Sequence, residues 1–241
     1  MKLGLLGYPI SHSQSPALFA AAYPGGEHSY ELVEEPDFDK AYARFLEGYD
    51  AVNVTTPFKE KAAARADVAN DVVKACGASN LLKKEEDGLV HAYNTDYLGV
   101  KQVLEERKIS GDVMVVGCGG AAKAAALAAV DTGHNVIIAN RDESRAIRFV
   151  AANIGRRNSA SMLAVGLGMV EAVLPSVSFI IYCVPVALPS LNDVTLAGKT
   201  LFEANYRDAQ YSAGHGYEYI PGEVWLAAQG TESFNLMLDK K

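Results

Sequence analysis

Gly117-Cys118-Gly119-Gly120-Ala121-Ala122 follows a continuous apolar run, Val113–Val116, and opens an alanine-rich stretch, Ala121–Ala129, with a second apolar run, Val136–Ala139, behind it. Strand, glycine turn, helix and strand in that order make a βαβ unit, and the glycines fit the pattern G-x-G-x-x-G/A. The first glycine permits the tight turn, the second lets backbone approach a pyrophosphate, and a small sixth residue lets the helix pack close on the sheet. Free N–H groups at the helix start then face phosphates. Gly117, Gly119, Gly120 and Ala121 are therefore candidate dinucleotide ligands, although a glycine turn of this kind also occurs without one.

The end of the second strand reads Asn140-Arg141-Asp142-Glu143-Ser144-Arg145. Arg141 and Arg145 suit a 2′-phosphate on the adenosine ribose, whereas Asp142 suits an unphosphorylated ribose and repels the phosphate. Two positive charges against one negative lean toward NADP, with NAD left open.

Apolar and polar segments alternate along the rest of the chain in the same manner. Strands are expected at Leu3–Leu6, His28–Val33 and Ala51–Thr55, and helices at Ala17–Ala22, Phe38–Glu47 and Lys59–Val68, which suggests a parallel sheet. Leu81–Lys83 and Val90–Ala92 flank the polar Lys84–Gly88 stretch and read as a hairpin at the sheet edge. Later strands are expected at Phe179–Val184 and Thr200–Glu203, and a last helix at Glu223–Leu238. The fold class is α/β, and 241 residues suffice for two domains.

Net charge is −7 with no Lys/Arg-rich run, which argues against a nucleic-acid partner. No stretch approaches a membrane span and the N-terminus lacks a signal-peptide pattern, so a cytoplasmic address is expected. Cys76, Cys118 and Cys183 are widely spaced and read as small buried residues. His28, His91, His134 and His215 are isolated, so no metal is expected.

Three segments before residue 100 concentrate hydroxyl, amide and charged groups just after apolar strands: Ser11–Pro16, Asn53–Lys59 and Asn94–Asp96. Strand ends of open α/β sheets are where ligands bind, and these groups suit a small polyhydroxylated carboxylate.

With its Gly7–Pro16 (G-Y-P-I-S-H-S-Q-S-P), Asn53–Glu60 (N-V-T-T-P-F-K-E), Gly77–Asn80 (G-A-S-N) and Asn94–Gly99 (N-T-D-Y-L-G) segments, the chain resembles the shikimate dehydrogenase family (shikimate/quinate dehydrogenases) nearly end to end. The glycine turn and Asn140–Arg145 add to the likeness. The resemblance implies an N-terminal α/β substrate domain at 1–97 plus 222–241, to which the C-terminal helix returns, and a Rossmann-like NADP-binding domain at 98–221. It implies reduction of 3-dehydroshikimate to shikimate in the chorismate route to aromatic amino acids, by a monomer or homodimer. Ser13 and Ser15 would bind the substrate carboxylate and Thr55, Asn80 and Gln229 its hydroxyls. Lys59 and Asp96 would form the catalytic pair, and Tyr206 on the substrate side and Gly222 on the cofactor side would line the cleft between the domains. His12 is expected to be a spectator.

Several segments depart from the family pattern. Tyr182–Leu188 keeps only the proline of the usual motif, and Arg207–Ser212 replaces a loop that normally carries T-P-L-L. Asp142 stands where a threonine is usual, and Lys123 where an arginine is. An NAD-preferring quinate/shikimate dehydrogenase and a non-catalytic shikimate-binding homologue are the competing expectations. Retention of both Lys59 and Asp96 argues against the second.

Overall fold

The computed structural model describes residues 1–156, 160–214 and 216–239. The chain forms two units, one comprising Met1–Thr95 with Gln229–Lys241, the other Asp96–Ala228.

In the first unit the strands are β1 (Lys2–Gly7), β2 (Ser29–Glu34), β3 (Ala51–Val54), β4 (Val68–Ala69), β5 (Leu81–Lys84) and β6 (Val90–Tyr93). Helices α1 (Ser15–Ala22), α2 (Phe38–Gly48), α3 (Lys59–Arg65) and α4 (Asp71–Cys76) connect them. The sheet order is β2-β1-β3-β5-β6-β4. β1 pairs in parallel with β2 and β3, but β5 runs antiparallel to both β3 and β6. The expectation of a parallel sheet therefore fails only at β5: β6 points the same way as β1–β3, and β4 pairs with it in parallel. The hairpin β5–β6 is present but is not the sheet edge, because β4 pairs outside it with β6.

Local chemistry accounts for these boundaries. Asp37 caps α2 by accepting from the Lys40 amide at 3.0 Å, and Asn70 caps α4 by accepting from Val73 at 2.9 Å, which satisfies amides that have no partner inside the helix. α3 stops at Arg65, short of the expected Val68, because Ala66 is extended and the chain enters β4. One face of the sheet buries Leu6, Phe38, Phe45, Val52 and Leu82 under α2 and α3. The other buries Leu3, Phe19, Leu81, Phe234 and Met237, where Phe234 meets Phe19 edge-on at 5.1 Å between ring centroids.

The second unit contains α5 (Thr95–Glu106, from its second residue on), β7 (Asp112–Val116), α6 (Gly120–Asp131), β8 (Val136–Asn140), α7 (Glu143–Ala152) and β9 (Met162–Gly166). There follow α8 (Val170–Val173), β10 (Val177–Tyr182), α9 (Asp193–Leu196), β11 (Thr200–Glu203) and β12 (Glu218–Ile220). Helix α10 (Gly222–Met237) ends the chain, its residues from Gln229 onward belonging to the first unit. Strand order is β12-β11-β10-β7-β8-β9, parallel throughout. Counted from β7 this is the doubly wound order 3-2-1-4-5-6, whose reversal between the first and fourth strands makes the ligand crevice. Residues Ala124–Val130 of α6 are all buried, and their small side chains let the helix lie close on the sheet.

Candidate functional site

In the first unit a single chain of hydrogen bonds joins four of the expected substrate residues. The Ser13 hydroxyl donates to Ser15 at 3.2 Å, and Ser15 in turn bonds the Tyr30 hydroxyl. Tyr30 donates to Asn53 Oδ1 at 2.7 Å, and Asn53 Nδ2 donates to Ser233 at 2.6 Å and to the Asn80 carbonyl at 3.2 Å. Asn80 Nδ2 donates to Thr95 Oγ1 at 2.9 Å and to Gln229 Oε1 at 3.4 Å, and the Thr95 hydroxyl donates to the same Gln229 oxygen at 3.3 Å. Burial pushes the Tyr30 phenol far above the ordinary tyrosine range, offset in part by the bond from Ser15. It is therefore a fixed neutral donor inside the chain.

Thr55 directly follows β3, two residues after Asn53 of this network. Its amide donates to Leu6 at 2.9 Å, and its methyl would stand 2.5 Å from a Cβ at Gly7, so the end of β1 has room only for glycine. Lys59, half-buried, opens α3, and its carbonyl accepts from the Ser79 amide at 2.9 Å, one residue before Asn80. His12 is exposed.

In the second unit Asp96 is buried near the start of α5, and its Oδ1 accepts from the Trp225 indole at 3.0 Å. Gly222 starts α10 against the peptide between Asn205 and Tyr206, which a Cβ would approach to 2.5 Å. Tyr206 and Gly222 are thus neighbours.

The glycine turn has the conformation a pyrophosphate needs. Gly117 takes a φ of +112°, and a Cβ there would come within 3.1 Å of Val184. Gly119 is extended at the N-terminus of α6, and nothing lies within 4 Å of where its Cβ would stand, which leaves open the backbone approach that the motif requires. Gly120 and Ala121 form the first turn. Next to it, at the end of β8, Asn140 Nδ2 donates to the Asp142 carbonyl at 2.8 Å. Asp142 caps α7, with Oδ1 accepting from the Ser144 hydroxyl at 2.6 Å and from the Arg145 amide at 3.2 Å. Those bonds hold its carboxyl below the usual range. Arg141 is exposed and Arg145 half-buried. The residues present fit a dinucleotide.

The segments that depart from the family pattern are tied to each other. Glu203, fully buried, accepts from the Gln210 amide at 2.7 Å, the Tyr211 amide at 3.3 Å and the Tyr219 hydroxyl at 2.8 Å. The Tyr211 hydroxyl accepts from the Leu188 amide at 3.1 Å, and Tyr182 donates to Val186. The loop after β10 is thus pinned to the loop after β11. Sequence reading did not single out Tyr30, Ser233, Glu203 or Trp225, each of which looks like ordinary strand or helix packing until its partner is known.

Cys76 and Cys118 are buried as expected, while Cys183 is half-buried. His28 meets the N-terminal amine, His91 pairs with Asp87 at 2.8 Å and His134 meets the Gly111 carbonyl. His215 lies outside the described residues. Among the described residues no cluster of His, Cys, Asp and Glu could hold a metal ion, and no helix is long and apolar enough to cross a membrane.

Residues 5–82 match the family model of the shikimate dehydrogenase substrate binding domain. A shikimate dehydrogenase (NADP(+)) of Archaeoglobus fulgidus is 40% identical over 149 residues, which span 59% of this chain and 54% of that protein. One from Halobacterium salinarum is 34% identical over 251 residues, spanning 96% of this chain and 91% of the relative. Shikimate 5-dehydrogenase from Thermus thermophilus, solved in complex with NADP(H) and shikimate, superposes with a TM-score of 0.84 at 25% identity, covering 99% of this chain and 94% of that one. Quinate dehydrogenase from Corynebacterium glutamicum, solved with NAD, gives 0.84 at 22% identity over 99% and 94% of the two chains, a likeness of fold alone.

Proposed function

The chain belongs to the shikimate dehydrogenase family, and on that premise we propose that it catalyses the reversible NADPH-dependent reduction of 3-dehydroshikimate to shikimate. The observation that carries the reading is the hydrogen-bonded chain from Ser13 to Gln229. It concentrates three serine hydroxyls and three amide side chains in one unit, a set suited to a carboxylate and a ring of hydroxyls.

We assign the carboxylate to Ser13 and Ser15, the ring hydroxyls to Thr55, Asn80 and Gln229, and a further substrate-binding role to Tyr206. The dinucleotide goes to Gly117, Gly119, Gly120, Ala121 and Gly222, its adenosine end to Asn140, Arg141, Asp142 and Arg145. The substrate role belongs to the Met1–Thr95 unit with its C-terminal return, and the dinucleotide role to Asp96–Ala228. When bound, the nicotinamide supplies the hydride to the carbonyl carbon. Lys59 supplies the proton to the oxygen that becomes an alkoxide, or takes the hydroxyl proton in reverse, and Asp96 orients the ammonium. No metal is needed for this chemistry. The reaction belongs to the chorismate route of aromatic amino acid biosynthesis, carried out in the cytoplasm by a monomer or homodimer.

NADP is the preferred cofactor, and NAD stays open as a second one because a carboxylate at Asp142 suits an unphosphorylated ribose. The test is absorbance at the nicotinamide band with shikimate and either cofactor at matched concentrations. Faster reduction of NADP is expected. No reduction of either cofactor, with shikimate still raising Tm, would replace the enzyme by a shikimate-binding protein.

A further inference from the structure

Asp96 is 4% exposed and Trp225 is 5% exposed. The indole Nε1 donates to Asp96 Oδ1 at 3.0 Å across 129 residues of sequence. An indole donates and never accepts, so the bond is one-directional and holds Oδ1 as an acceptor. The ring itself has little freedom. Phe202, fully buried, packs on it with centroids 5.3 Å apart and planes inclined by 41°. The helix that carries it starts at Gly222, pressed against the Asn205–Tyr206 peptide, so the first turn of α10 is registered on the end of β11.

We propose that Trp225 is a positioning residue for Asp96: the indole fixes the plane of the carboxylate, and with it the direction of the second oxygen. This rests on the reading of Asp96 as the partner of Lys59. Fixing the carboxylate in advance spares its reorganisation when charge develops on the reacting oxygen. A donor that merely satisfied a buried indole would have no such effect on turnover.

Trp225→Phe keeps a ring against Phe202 and deletes the donor. The expected result is a fall in kcat of about 10- to 100-fold, the range a small misplacement produces, with KM for shikimate and for NADP within about threefold. The loss shrinks toward nothing in an Asp96→Asn background, because the two act through one carboxylate. Trp225 is the sole tryptophan, so a second measurement needs no change to it: Asp96→Asn alone shifts the emission of the native protein. Wild-type kcat in Trp225→Phe, with Asp96→Asn inactive, overturns the positioning role and leaves Asp96 in place. An equal fractional loss in both backgrounds, or emission unchanged by Asp96→Asn, also overturns it. An active Asp96→Asn removes Asp96 from the mechanism, and the inference with it.

Discussion

Asn80 grips Thr95 from both ends: its Oδ1 accepts from the Thr95 amide at 2.6 Å while its Nδ2 donates to the Thr95 hydroxyl at 2.9 Å. Both residues are buried, and while Asn80 Nδ2 and the Thr95 hydroxyl also reach Gln229, the Thr95 amide relies on Asn80 Oδ1. Asn80→Ala strands the Thr95 amide and leaves the Thr95 hydroxyl only its bond to Gln229, and the expected cost is about 1–3 kcal/mol, read as a fall in Tm of roughly 3–10 °C. Asn80→Asp keeps the acceptor toward the amide, and the Thr95 hydroxyl can turn to donate to it, so a smaller loss is expected. Equal losses in the two variants would show that the Thr95 amide bond is not what matters.

Lys59→Ala separates chemistry from binding. On the proposed assignment the substitution removes proton transfer and leaves the Ser13-to-Gln229 network intact, so turnover is expected to fall by orders of magnitude with shikimate KM little changed. Steady-state kinetics decide it, and near wild-type turnover would remove Lys59 from the mechanism.

Asp142 has two jobs that a single substitution can separate. As the cap of α7 it binds Ser144 and Arg145, and as a charge it would, on the proposed assignment, oppose a 2′-phosphate. Threonine also caps helices, so Asp142→Thr is expected to leave Tm within a few degrees while raising the NADP over NAD ratio of kcat/KM. An unchanged ratio would show that the carboxylate's charge does not reach the ribose. The depressed carboxyl also fixes a sign: its contribution is present above the ordinary value of 3.8 and is lost as pH falls below it. Asp142→Thr has no such acid-side loss.

The parts of this molecule that the sequence announces are those whose pattern is local. Gly117–Ala122 between two apolar runs needs no distant partner to be read, because positive φ, close approach and helix start are encoded within six residues. β4 has two residues and β12 three, too short to carry a period of two, and both escaped. The reversal at β5 was equally silent: antiparallel pairing with β3 depends on where the chain returns, which alternation does not encode. Tyr30 and Trp225 were hidden for a related reason. Tyrosine in a strand and tryptophan on a helix are ordinary packing residues, and what distinguishes them are acceptors 23 and 129 positions away.

Arg156 shows how the residue after Asp96 is held. Asp131 ends α6, where a negative charge opposes the helix dipole. Arg156 answers it with Nε at 3.0 Å and Nη2 at 2.7 Å, and the Tyr97 hydroxyl donates to the same carboxylate at 2.8 Å. Burial, then the bond to Asp131, pushes the Tyr97 phenol up from 10.0 to about 12. A group whose folded value is raised contributes stability that is complete below its unfolded value and is lost as pH climbs through the folded one. Tyr97→Phe is therefore expected to be less stable than wild type near neutral pH, by about 0.5–1.5 kcal/mol for one hydrogen bond, and to show a flatter decline in denaturant midpoint between pH 10 and about 12. Arg156→Lys keeps the charge but loses the two-pronged geometry, so it should recover only part of the stability lost in Arg156→Ala. Parallel alkaline curves for Tyr97→Phe and wild type would mean that other buried tyrosines set the alkaline limit.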